Sequence, residues 1–122
     1  MANEITATVT VQCINGSFKA LFAPGAKQIT QTTLGGHSTI WNVGTSEEHM
    51  PVGDVATNGV LCLLNTDATN YVQIGPKVGG VMEECIRLKP GVPQFFQCEP
   101  GITWTGKANT AACKVQMLLL EL

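Results

Sequence analysis

Charge is what this sequence has least of. Only 13% of its 122 residues are Asp, Glu, Lys or Arg, about half the ~25% of an ordinary soluble protein. Arginine occurs once, as Arg87, and the seven basic residues are scattered from Lys19 to Lys114. Contacts to nucleic-acid phosphates need clustered Lys and Arg, so no nucleic-acid partner is expected. Long apolar runs are missing too: the longest are about five residues, far short of the ~20 that cross a bilayer as a helix, so no membrane partner is expected. The first residues, Met-Ala-Asn-Glu-Ile, lack the basic and apolar regions of a secretory signal. Heptads are absent, which excludes a coiled coil. Disorder needs low hydrophobicity and high net charge, whereas this chain is 44% hydrophobic with a net charge of −2.

No paired-cysteine clip exists. Of Cys13, Cys62, Cys85, Cys98 and Cys113, the nearest two stand 13 positions apart, and five is an odd number. The expectation is reduced, mostly buried thiols in a reducing compartment. A zinc site would have to gather distant cysteines with His37 or His49, so no metal and no cofactor are expected.

Turn residues and β-formers are plentiful. Threonine occurs 14 times and glycine 13 times. Turn signals recur at Asn15-Gly16, Pro24-Gly25, Gly35-Gly36, Asn58-Gly59, Gly75-Pro76, Gly79-Gly80, Pro90-Gly91 and Pro100-Gly101. Short β-rich runs lie between them. In the first, Ile5, Ala7, Val9, Val11 and Cys13 alternate with Thr6, Thr8, Thr10 and Gln12, a period of two that predicts one strand with a threonine-coated wet face. Further strands are predicted at Ile29–Leu34, Ser38–Val43, Tyr71–Ile74, Cys85–Leu88, Gln94–Cys98 and Ile102–Thr105. Residues 107–122 fit either an amphipathic helix or a strand with Cys113, Val115, Met117 and Leu119 inward; the surrounding β framework favours the strand. The fold class that follows is all-β, a single antiparallel sandwich or barrel spanning 1–122, with residues 1–4 as an N-terminal arm.

Two segments break the alternation. Val60–Leu64 is apolar at every position, and so is Met117–Leu120. A strand of an antiparallel sandwich normally shows one face to water. Either a loop covers these strands or another subunit does. Leu118 and Leu120 share a strand face with Lys114 and Gln116, so that face turns from polar to apolar partway along, as at the border of a contact patch. Leu61, Leu63, Leu118 and Leu120 are therefore the candidates for core or subunit contacts.

Candidate chemistry is sparse. Glu47-Glu48-His49 has no partner cluster and reads as a solvated loop. Cys85 and Arg87 share a strand face, which suits a surface charge ladder better than an activated nucleophile. Phosphate loops, the Gly-x-Ser elbow and H-E-x-x-H are missing, so no enzyme is expected and no catalytic residue is assigned. Trp41 and Trp104 are better placed for a core, but if exposed they would form a sugar platform together with Tyr71. A carbohydrate-binding β-sandwich module, for host attachment or otherwise, is accordingly the alternative reading.

The second half resembles small proteins of tailed-bacteriophage structural modules. The resemblance rests on Leu63–Gly75, with its string Asn-Thr-Asp-Ala-Thr-Asn-Tyr, on Ile86–Gly91, and on Lys107–Met117, with Lys-Ala-Asn-Thr-Ala-Ala-Cys-Lys. It covers about Leu61 to Glu121; Met1 to Val60 carries no matching motif. It implies a non-enzymatic virion protein with an antiparallel β-sandwich, jelly-roll-like fold, of the capsid cement or decoration type, with a tail or fibre component for host attachment as the alternative. Such a protein would assemble in the host bacterial cytoplasm as a homo-oligomer, a trimer being favoured. On the capsid surface it would stabilise the shell by binding the major capsid protein.

Overall fold

The computed structural model describes residues 3–122. Among the described residues every regular element is a β-strand and every pairing is antiparallel. One of the sheets curls into a half-barrel. Where the sequence predicts a single domain, the chain divides into two compact units, one ending at Leu34 and one spanning Gly35–Leu122. Of the arm expected at residues 1–4, Met1 and Ala2 lie outside the described residues. Asn3 and Glu4 are exposed and lead into the first strand.

The first unit is one long hairpin made of β1 (Ile5–Thr8), β2 (Val11–Asn15), β3 (Phe18–Phe22) and β4 (Ala26–Ile29), with β1 paired to β4 and β2 to β3. The turn is at Gly16-Ser17, where Gly16 takes φ +59°. That is the glycine-first two-residue turn whose twist matches the flanking strands. The continuous strand predicted over Ile5–Cys13 is thus interrupted. Val9 and Thr10 lie opposite Ala23, Pro24 and Gly25, outside either ladder. Pro24 offers no N–H to a ladder, so Pro24-Gly25 forms an irregularity within the hairpin and not the chain reversal that its sequence suggests. The strand predicted at Ile29–Leu34 does not form beyond Ile29, and Leu34 is 90% exposed.

The second unit contains β5 (Gly36–Val43), β6 (Glu48–His49), β7 (Asn58–Asn65), β8 (Val72–Val78), β9 (Val81–Met82), β10 (Ile86–Leu88), β11 (Pro93–Gln97), β12 (Trp104–Ala108) and β13 (Cys113–Glu121). They form two sheets. One has the order β11-β7-β13-β5; the other runs β10-β8-β12-β6, with β9 paired to β8. Residues 113–121 are a strand, as the β framework favours, and Cys113, Val115, Met117 and Leu119 are buried. Both sheets feed one core. Trp41, Val43, Leu61 and Leu63 come from the first sheet, Val72, Ile74, Leu88 and Ala108 from the second. Each large apolar side chain removed from water this way contributes about 1.5–3 kcal/mol.

Two strings, residues 65–71 and 109–110, meet at one end of this core. Asn65 is fully buried; its amide donates to the carbonyls of Asn70 (2.8 Å) and Leu88 (3.0 Å), and its Oδ1 accepts the Asp67 N–H (3.0 Å). Asn109 exchanges two bonds with Tyr71, and the Thr110 hydroxyl donates to Asn70 Oδ1 (2.6 Å). These Asn, Asp and Thr side chains substitute for the ladder where the backbone turns.

Candidate interaction surface

Strand register assigns each candidate a side of the sheet. On β7, Leu61 and Leu63 point inward and are 0% and 2% exposed. They are core residues and cannot supply a subunit contact, because β7 is flanked by β11 and β13 and its inner face lies on the shared core. On β13, Leu118 and Leu120 point to the opposite side; Leu118 is 38% exposed and Leu120 half-buried.

Three cross-strand rows make up that outer face. Reading from β11 across β7 and β13 to β5, they are Pro93–Leu64–Gln116–Ile40, Phe95–Cys62–Leu118–Ser38 and Gln97–Val60–Leu120–Gly36. None of these positions is charged. Ile40 (57% exposed) lies diagonal to Leu118, and Phe95 (39%) lies one strand beyond Cys62. With strands ~4.8 Å apart and same-face neighbours ~6.8 Å apart, the three rows span about 14 by 14 Å; Val60 in the third row is itself buried, so the open part is the first two rows. Lys114, opposite Asn42, marks the end at which the face becomes polar, the transition legible in the sequence.

The hairpin of the first unit carries a second apolar face. Val11 pairs with Phe22, Cys13 with Ala20 and Asn15 with Phe18, and directly opposed residues share a side. Val11, Phe18 and Phe22 are each about 60% exposed. The other side alternates Gln12 and Lys19 with Ile14 and Leu21. Sequence reading missed this face because alternation along β2 alone looks like an ordinary half-buried strand; the apolar partners on β3 become visible only with the register.

The remaining candidates serve the fold. The Trp41 ring is 4% exposed and its Nε1 donates to Glu48 Oε1 (2.9 Å), so it offers no stacking platform to a sugar. Trp104 is half-buried against Phe96, ring centroids 5.2 Å apart, and its Nε1 has no hydrogen-bond partner among the described residues. Glu48 is not a solvated loop residue: it is half-buried on β6 and also accepts the Gly44 N–H (3.2 Å). Glu47 pairs with Lys77 at 2.7 Å, and the Lys77 ammonium holds its carboxyl below the usual range. The Arg87 guanidinium stacks 4.1 Å above the Tyr71 ring, while the exposed Cys85 thiol faces the Ile74 carbonyl at 3.7 Å.

All five thiols are free, but only Cys98 and Cys113 are buried; Cys62 is half-buried, and Cys13 and Cys85 are exposed. Burial, helped by the neighbouring Cys62, pushes the Cys98 thiol up to about 11. Among the described residues no group of three His, Cys, Asp or Glu side chains is arranged to hold a metal ion, and no helix is long and apolar enough to cross a membrane.

Compared with protein-family models, curated proteins and solved structures, the chain matches none.

Proposed function

We propose that this chain is a non-enzymatic structural subunit, and that it is a capsid decoration protein of a tailed-bacteriophage virion which binds itself and the major capsid protein. The observation that carries the reading is the uncharged outer face around Ile40, Phe95 and Leu118. An antiparallel sheet that borders water normally coats its outer face with polar side chains. On β13 the polar coat ends at Gln116 and leucine follows at Leu118 and Leu120. Clamping a shell needs such a face and many copies, because multivalency multiplies weak contacts. We read the two sheets of the second unit as a β-sandwich of jelly-roll type, with the apolar patch on its outside. The virion assignment rests on the resemblance of residues 61–121 to phage structural modules, and a trimer over a three-fold capsid position fits it. The carbohydrate alternative is left with the half-buried Trp104, because Trp41 is buried.

The test is co-sedimentation with empty capsid shells of the phage that encodes the chain. Wild-type chain is expected to pellet with the shells in stoichiometric amounts, and Leu118→Lys is expected to reduce the bound fraction at least tenfold. Wild-type chain that stays in the supernatant at saturating concentration rules the capsid role out.

A further inference from the structure

We infer that the apolar face of the first-unit hairpin docks on the outer sheet face of a second copy of this chain. This rests on the self-assembly part of the reading above and names its contact. Three observations converge on it.

First, the hairpin contains no core of its own. Every residue of β2 and β3 is exposed, including Val11, Phe18 and Phe22 on one side. An isolated two-stranded hairpin is marginal in water, and stability requires further strands or a packed apolar face.

Second, the two faces match in chemistry. The hairpin face, Val11, Cys13, Asn15, Phe18, Ala20 and Phe22, holds no charge, and neither do the three rows of the sheet face. Five-residue strands run about 17 Å and a strand pair is about 10 Å across with its side chains, a footprint that spans the two open rows of the patch. A charged partner would leave its charges unpaired on either face.

Third, the area suffices. Between them, Val11, Phe18 and Phe22 of the hairpin and Ile40, Phe95 and Leu118 of the sheet still show roughly 600 Å2 to water, at about 150–200 Å2 for each fully exposed side chain. Two-fold symmetry makes the contact twice, giving about 1,200 Å2, the lower edge of a specific interface. A ring of three copies makes it three times.

The cysteines provide the test. Cys13 lies mid-face on the hairpin and Cys62 mid-face on the sheet. Packed sheets sit about 10 Å apart, so docking brings the two thiols within reach of a short bis-maleimide. Full-length chain, isotope-labelled and unlabelled, is mixed and treated with that reagent, and the linked peptides are mapped by mass spectrometry. The expected product joins Cys13 of a labelled chain to Cys62 of an unlabelled one. The double variant Phe18→Lys/Phe22→Lys is expected to abolish that product and raise the oligomer dissociation constant at least tenfold. Both tryptophans lie in the second unit, so unchanged tryptophan fluorescence shows that the variant's core is intact. A Cys13–Cys62 link within one chain overturns the inference, as does an oligomer indifferent to the double variant; in both cases self-assembly itself can stand. A wild-type chain that is monomeric throughout removes the inference and the assembly reading together.

Discussion

At the scale of single residues, the Asn, Asp and Thr side chains between Asn65 and Asn70 act as fasteners of the backbone. Asn65 answers two carbonyls and one N–H from inside the core, where each group left unpaired would cost about 1–3 kcal/mol. Next to it, Asp67 Oδ2 accepts the N–H groups of Asn70 (2.7 Å) and Thr69 (3.0 Å), and these bonds hold its carboxyl below the usual carboxylate range. A depressed folded value means that the ionised form is the one the native loop prefers. Its stabilising contribution is complete above the unfolded value, near 3.8, and is lost as the pH falls through the lower folded value. Urea midpoints measured between pH 6 and pH 2 are expected to fall across that acid window more steeply for the wild type than for Asp67→Asn, which does not titrate there. Parallel curves would show that the Asp67 contacts do not persist in solution. The sequence marks Asn65–Asn70 as turn-like, and the structure shows why: the segment links the first sheet to the second through side-chain bonds.

At the scale of elements, β13 was legible and the hairpin was not. Strict alternation at Cys113, Val115, Met117 and Leu119 reports a strand whose inner side packs on a core, and all four are buried. The same logic fails for Ile5–Cys13, because a period of two says nothing about where a strand breaks. Pro24-Gly25 shows the limit from the other direction: such a pair reads alike as a chain reversal or as an irregularity inside a hairpin, and only the partner strand decides. For β7, an all-apolar run left core and contact surface equally open; register resolves it by sending Leu61 and Leu63 inward and Cys62 and Leu64 outward. Close approach of elements gives a separate check. Gly106 on β12 lies under Trp41, where an added Cβ would sit 3.0 Å from Trp41 Cζ2 and from Ile74 Cδ1, and closer still to Trp41 Cη2. Gly106→Ala therefore overpacks the core and is expected to lower the unfolding free energy by about 1–3 kcal/mol, with a blue- or red-shifted Trp41 emission reporting the displaced ring. An unchanged denaturation midpoint would mean that the two sheets do not meet at this spacing.

At the scale of the whole molecule, the scarcity of charge acquires a location. Charged residues are absent from the three rows of the outer sheet face and from the apolar side of the hairpin, while ion pairs such as Lys77–Glu47 and Lys107–Glu84 gather around the second sheet. Surface ion pairs of this kind contribute little to stability; their placement leaves one side of the second unit polar and the outer face of the first sheet apolar. Composition alone reported the shortage, but not that two strand faces are free of charge altogether. The most direct measurement of the central claim is the solution mass of the full chain by light scattering across a dilution series, for the wild type beside Leu118→Lys. Self-assembly through the outer face requires a wild-type mass that is a whole multiple of the monomer and falls only on dilution, with Leu118→Lys monomeric at concentrations where the wild type is not. A wild-type chain that is monomeric at every concentration, or an oligomer that Leu118→Lys leaves untouched, contradicts it.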